Sequence, residues 1–469
     1  MEHNLYSILI KNLQTHLSLQ QKSALEDICL FIERKNYDEI YILKGYAGTG
    51  KTFIISNIIK ELWKIKKKFI LLAPTGRSAK VISSYCNHEA FTIHKKIFYT
   101  KNDFSGNMKF SLKTNKYKDT LFIIDEASMI STNKNDTLSF FSESLLDYII
   151  KFIYSGFKCK LLIIGDTAQL PPVNAETSFA LDESFIKDNY KKIAHSSILT
   201  EVIRQSKDSG ILSFATFIRN GIDNKVFNSI NFDVSNFADL IYVEDGEHLM
   251  NLIHDSYNDF GVNETAIIVR SNKRANLYNK SVREKIICYD SIISVGDLLM
   301  VIKNNYYWLN SSNDLGFIAN GDIIKIEEIN KIVDIYDSKF ADVKVSLVDY
   351  PNIKPFQTVL ILDSLYINNS ALDYKQMSKI YNEILNDYMH IKTKYKRYLA
   401  VKNNKYFNAL QVKFSYSFTC HKSQGGQWDS VFLEFPYLKD GFDESFFRWL
   451  YTAITRAKKK LHLIGFKNN

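Results

Sequence analysis

Two hydrophobic rhythms alternate along the first two hundred residues. Short, nearly unbroken apolar runs occur at Ile40–Leu43, "KFILLAPT" (68–75), "TLFIIDEAS" (120–128) and "CKLLIIGD" (159–166). Between them lie stretches of helical spacing, such as "TFIISNIIKELW" after residue 51. Strands this apolar are buried on both faces, which predicts a parallel sheet covered by helices. A second set follows the same rule: "ETAIIVRSN" (264–272), "SYSFTCHKSQG" (415–425), "SVFLEF" (430–435) and "KLHLIG" (460–465). They predict a second α/β sheet. From 320 the pattern shortens to alternating strands with a turn at Asn320-Gly321, as in a small β module, and 370–406 reads as helical and then basic. The polar and aromatic run "YTKNDFSGNMKFSLKTNKYKD" (99–119) interrupts the first set, either as a protruding hairpin or as a surface loop.

Composition narrows the class. A chain of 469 residues, 46% apolar and 24% charged, is expected to fold as two to four soluble domains. The net charge of +9 permits a nucleic-acid partner without requiring one. Cys29, Cys86, Cys159, Cys288 and Cys420 form no C-x-x-C pair, which argues for free thiols and against a zinc ribbon or iron–sulfur cluster. No export signal or membrane span is read, so the expected location is the cytosol. The Asn- and Ile-rich composition points to an AT-rich bacterial or phage genome, hence an expected location in a bacterial cytosol or a phage-infected cell.

Chemistry enters at the strand ends, where open α/β sheets place their ligands. "GYAGTGKT" (45–52) fits G-x-x-x-x-G-K-[ST] between a strand and a helix. Backbone N–H groups of Gly48, Thr49 and Gly50 would cradle phosphates, Lys51 would reach the β/γ-phosphates, and Thr52 would ligate Mg²⁺. Asp125 and Glu126 end another strand and suit a Mg²⁺ carboxylate and the group that accepts a proton from attacking water. Gln169 in "GDTAQLPPV" can hydrogen-bond both a γ-phosphate and a water. Arg204 and Arg456 are candidates to stabilise the transferring phosphate, each with a surface ion pair as its ordinary alternative.

The order and wording of these motifs resemble a superfamily 1 DNA helicase of the RecD/Dda type, the 5′ to 3′ branch. The resemblance runs from "LSLQQKSAL" near residue 18 to "TRAKKKLHLIG" near 465, densest in 40–205 and 411–465. It implies two tandem RecA-like P-loop motor domains. Domain 1A covers 1–198, with a hairpin insertion 1B near 99–119. Domain 2A covers 199–319 and 411–469, interrupted by a small β-rich, SH3-like module 2B at 320–410. It implies ATP and Mg²⁺ as cofactors, with Lys51, Asp125, Glu126, Gln169, Arg204 and Arg456 catalytic, and Gln21 reading adenine beside the phosphate loop and Gly425. It further implies single-stranded DNA contacts at Thr75, Thr92, His94, Lys95, Thr419, His421 and Lys422, and a strand-splitting aromatic among Phe98, Tyr99 and Phe104. Lone histidines such as His94 more often pack than act. The lysines of "HIKTKYKRYLAVKNNK" either extend the DNA track or form a solvated helix face. At Gln427 related motors often carry an acidic residue, a departure that bears on sugar or base contact. The expected activity is ATP-driven translocation and duplex separation at junctions, by a monomer serving replication, repair or recombination. A DNA-stimulated ATPase that remodels protein–DNA or RNA complexes is the alternative.

Overall fold

The computed structural model describes residues 4–13, 15–102, 108–132, 143–172, 175–202, 209–230, 232–309, 317–439 and 441–466. The first part contains β1 (Glu39–Gly45), β2 (Lys68–Ala73), β3 (Ala90–Thr92), β4 (Phe98–Asn102), β5 (Met108–Leu112), β6 (Thr120–Ile124), β7 (Lys160–Gly165) and β8 (Ile193–Leu199). Six of these form a sheet in the order β3-β2-β6-β7-β1-β8, with every pairing parallel. The four apolar runs are its central strands β1, β2, β6 and β7. The helix Lys51–Leu62 sets Ile54, Ile55, Ile58, Ile59 and Leu62 inward. Thr75 with Ser78, and Ser144 with Asp147, form capping boxes that start the helices Gly76–Cys86 and Leu145–Tyr154. The interruption after residue 98 is a hairpin: β4 and β5 pair antiparallel, with Phe98 opposite Leu112.

The sheet order divides the strand ends by chemistry. The phosphate loop, Asp125 and Gln169 follow β1, β6 and β7, which are neighbours. Thr75 lies just beyond β2 and Thr92 ends β3, at the other edge.

The second part comprises β9 (Leu240–Val243), β10 (Thr265–Val269), β11 (Leu298–Val301), β12 (Ile323–Ile335), β13 (Ser338–Leu347), β14 (Phe356–Ile361), β15 (Leu410–Phe414), β16 (Ser417–Thr419), β17 (Trp428–Glu434) and β18 (Ala457–Ile464). A parallel sheet runs β16-β10-β17-β18-β9. Between β10 and β16 the chain leaves it and closes β11 to β15 into a barrel, which leaves no open edge. The β module is therefore wider than 320–410: it takes β11 from before that span and the end of β15 from beyond it. The helices Tyr374–Asp387 and Lys394–Lys402 lie between β14 and β15 and share a core with Phe340, Val359 and Ile361.

A buried ion pair sits where this sheet meets the barrel. Arg283 donates Nε and one terminal N–H to the two oxygens of Asp297, at 2.9 and 3.0 Å. Asp297 also accepts from Tyr416 Oη at 2.8 Å and from the Ser294 N–H at 2.7 Å. Among the described residues no helix is long and apolar enough to cross a membrane, and all five cysteines are free.

Candidate active site

The phosphate loop turns on two left-handed glycines, Gly48 (φ 75°) and Gly50 (φ 89°), a region that side chains with a Cβ avoid. Gly50 caps the helix that begins at Lys51. Lys51 Nζ folds back on the loop, donating to the carbonyls of Gly45 at 2.6 Å and Tyr46 at 2.9 Å. Thr49 is fully buried, its hydroxyl donating to the Tyr46 carbonyl at 2.8 Å.

A cleft of about 300 Å³ opens beside the loop, a volume suited to a small ligand. Gly48, Gly50, Lys51, Thr52, Asp125, Glu126 and Gln169 from the first part line it, with Gly425, Gln427 and Arg456 from the second. Glu126 has φ 53°, a left-handed conformation costly for a residue with a side chain, and its N–H donates to Asp125 Oδ1 at 2.9 Å. Burial, reinforced by the Glu126 charge, raises the Asp125 carboxyl to about 7, while Lys51 opposes the shift. Two adjacent carboxylates beside a threonine and a phosphate cradle fit Mg²⁺, which takes one or two carboxylates and completes its shell with phosphate and water. Gln169 is 5% exposed and its Oε1 has no hydrogen-bond partner among the described residues. Arg456 is 2% exposed. Among the described residues its guanidinium is held by neutral acceptors only: the carbonyls of Thr452 (2.9 Å) and Gly426 (3.2 Å) and the Thr455 hydroxyl (3.1 Å). A buried cation without a carboxylate partner is costly alone and suits an anionic ligand in the cleft.

Gln21 and Thr49 do not line the cleft. The Gln21 side chain accepts from the Ser18 N–H at 3.1 Å and donates to the Thr49 carbonyl at 2.9 Å, so it steadies the loop from behind. Arg204 and Phe104 lie outside the described residues. The chain order alone did not expose Tyr46, Asp166 and Tyr451. Tyr46 lines the cleft, hydrogen-bonds Asp223 at 3.1 Å and carries the Arg219 guanidinium 4.5 Å from its ring. The other two join the halves across the cleft.

Of the residues expected on DNA, Lys95 and Lys422 reach loops of the barrel. Thr75 caps its helix: its Oγ1 lies 2.7 Å from Ser78 Oγ and accepts the Ser78 N–H at 3.2 Å. Gly425 (φ 73°) packs onto this cap so closely that a Cβ would lie 2.8 Å from Ser78 and 3.0 Å from Thr75 Oγ1. Thr92 is likewise a cap, accepting the Lys95 N–H at 3.4 Å. Lys95 Nζ donates to Tyr350 Oη at 3.2 Å, and burial lowers its pKa, opposed by Asp322. Lys422 donates to Asn320 Oδ1, and burial, with Lys413 nearby, lowers it to about 8. Thus Lys95 and Lys422, from different sheets, both reach residues of the barrel, Tyr350 and Asn320. His421 is exposed, and Thr419 begins a short helix without a side-chain cap. His94 is half-buried and burial lowers it to about 4, so it is neutral at pH 7 and brings no charge to a phosphate.

The expected role of Phe98 needs correction. It is 5% exposed and meets Tyr148 edge-on at 5.2 Å in the core of the first part, so it cannot present a face to a base. Tyr99, 51% exposed at the base of the hairpin, can.

Asp322 gives a prediction about pH. It is 2% exposed, accepts the Ala319 N–H at 2.7 Å through Oδ2, leaves Oδ1 unpaired among the described residues, and is raised by burial to about 6. The folded state therefore holds a proton there that the unfolded state has released, and this group costs stability as pH rises from about 4 to 6. Asp322→Asn should raise the thermal midpoint at pH 7 by a few degrees and flatten its fall between pH 4 and 6. An unchanged pH profile in thermal melts would refute the assignment.

Comparisons with known proteins agree with this geometry. Residues 16–231 match the family model of an AAA domain, and residues 414–464 match that of a UvrD-like helicase C-terminal domain. The chain is 24% identical over 480 residues to the ATP-dependent DNA helicase dda of Enterobacteria phage T4, covering 93% of this chain and 97% of that one. It is also 24% identical over 444 residues to the ATP-dependent DNA helicase Pif1 of Campylobacter jejuni, covering 90% and 87%. A solved Bacteroides Pif1 helicase in complex with ADP-AlF3 and single-stranded DNA is 16% identical, with TM-score 0.48 over 97% of this chain and 94% of that one. Together, the phosphate loop with its carboxylate pair, the arginine contributed by the second part, an AAA-domain match on the first half and a helicase C-terminal match on the second make this chain an ATP hydrolase similar to the superfamily 1 helicases of the RecD/Dda type.

Proposed function

We propose that the chain is an ATP-driven motor that moves 5′ to 3′ along single-stranded DNA and separates the duplex ahead of it. The observation that carries this reading is Arg456: a buried guanidinium from the second part lines the cleft formed by the phosphate loop of the first. Charge developing on the γ-phosphate draws that arginine inward, so ATP favours a closed cleft and hydrolysis releases it. Two RecA-like domains are the moving bodies, one spanning 1–198 and the other built on the sheet β16-β10-β17-β18-β9; 99–119 is the strand-splitting pin and the SH3-like barrel β11 to β15 is the accessory module.

Within the cleft Lys51 neutralises the β/γ-phosphates. Thr52 and Asp125 are the groups to hold Mg²⁺, which when bound neutralises charge on the phosphates. Glu126 accepts the proton of the attacking water, Gln169 reports the γ-phosphate, and Arg204 joins Arg456 on it. Gln21 bounds the adenine side through its hold on Thr49. DNA phosphates run past Thr75, Thr92, Lys95, Thr419, His421 and Lys422, contacts that position a strand without reading its sequence. His94 shapes this track. The motor acts as a cytosolic monomer on single strands and junctions, in replication, repair or recombination.

Two measurements test this. Single-stranded DNA should stimulate ATP turnover; turnover indifferent to DNA would contradict the motor reading. Replacing residues 100–110 with a short linker should leave DNA-stimulated turnover within about twofold but slow strand separation about tenfold or more, equivalent to at least ~1.4 kcal/mol of barrier. Unwinding that survives unchanged would refute the pin assignment.

A further inference from the structure

The helix Glu444–Ile454 belongs to the second part, yet its inner face binds the two nucleotide-sensing segments of the first. Tyr451, 1% exposed, is at the centre. Its hydroxyl accepts the N–H of Ala47, in the phosphate loop, at 2.8 Å and donates to Asp166 Oδ2 at 2.7 Å. The other oxygen of Asp166 accepts the Ala168 N–H at 2.9 Å, so this carboxylate shapes the turn that presents Gln169. The same helix holds that turn on both sides of Gln169. Arg448 donates to the Thr167 carbonyl, and Thr452 Oγ1 accepts the Leu170 N–H at 2.8 Å. Two residues beyond the helix, Arg456 enters the cleft.

We infer that Tyr451 is a positioning residue for ATP hydrolysis: its hydroxyl is a two-sided bridge that sets the phosphate loop and Gln169 in register with Arg456 when the two parts close. The inference rests on the assignment of the cleft to ATP. One hydroxyl serves two buried polar groups on two segments, so losing it orphans the Ala47 N–H and removes one partner of the Asp166 carboxylate in a single step. The ring is packed by apolar neighbours and would remain so in phenylalanine. Burial beside Asp166 holds the phenol well above its ordinary pKa, so it stays protonated and remains the donor to Asp166.

The test is ATP turnover by full-length Tyr451→Phe with a saturating single-stranded oligonucleotide, together with Asp166→Asn and the double variant. The expected result is a kcat about tenfold or more below wild type, with KM for ATP within about threefold and a thermal midpoint lowered by no more than a few degrees and still well above the assay temperature. The double variant should be no slower than the slower single one, because both changes break the same bridge. A kcat within about twofold of wild type would overturn the inference. So would a loss that tracks a thermal midpoint lowered to near the assay temperature, or two effects that simply multiply. Absence of turnover in the wild-type protein would overturn the ATP assignment as well, whereas normal wild-type turnover with an unaffected variant overturns the bridge alone.

Discussion

Lys51→Ala should lower DNA-stimulated ATP turnover by about a hundredfold or more while leaving single-strand binding largely intact. Lys51 opens the helix Lys51–Leu62, and its ammonium is parked on the Gly45 and Tyr46 carbonyls. On the proposed function, a change of rotamer would carry it from there to a phosphate in the same cleft. Without it, the Asp125 and Glu126 carboxylates face a polyanion with one cation fewer, and the loop loses its only side chain able to follow charge onto the γ-phosphate. The strand-end groups at the β2–β3 edge and the barrel contacts of Lys95 and Lys422 are untouched. Turnover and oligonucleotide anisotropy measured on the same preparation check the prediction. Loss of both at once would mean damage to the fold, and retained turnover would remove Lys51 from the chemistry.

Arg283→Ala should destabilise the second part by about 3–5 kcal/mol. The guanidinium spans both oxygens of Asp297, which is 0% exposed, and its flat face lies 4.3 Å from the centre of the Phe414 ring. Among the described residues, alanine leaves that carboxylate buried with only Tyr416 and the Ser294 N–H, and it opens a cavity where sheet and barrel meet. Replacing both partners, Arg283→Met with Asp297→Leu, should cost less than the single change, because no charge is then stranded. Urea unfolding followed by fluorescence distinguishes the two. A single variant as stable as wild type would show that the pair does not hold the junction.

Much of this arrangement was legible because its signals are local. Each of the four apolar runs of the first part became a central strand, and the phosphate loop, Asp125 and Gln169 all follow neighbouring strands, as an open parallel sheet requires. What escaped is either short or assembled over distance. β3 has three residues, β9 has four, and β8 is a half-exposed edge strand, so none carries the unbroken apolar run of a central strand. β11, "LLMV", reads like any buried strand, and nothing local shows that it closes a barrel with β15 more than a hundred residues later. Phe98 looked like part of an exposed hairpin, yet it is buried in the core at the start of β4. Tyr451 and Asp166 lie 285 residues apart, and only the packing of one half on the other makes them partners.

Strand separation by the purified protein, with ATP and Mg²⁺, on duplexes carrying either a 5′ or a 3′ single-stranded tail decides both motor activity and its polarity. Separation is expected from the 5′ tail and none from the 3′ tail. Separation from the 3′ tail alone, or from neither tail while DNA still stimulates ATP turnover, would contradict the proposed function.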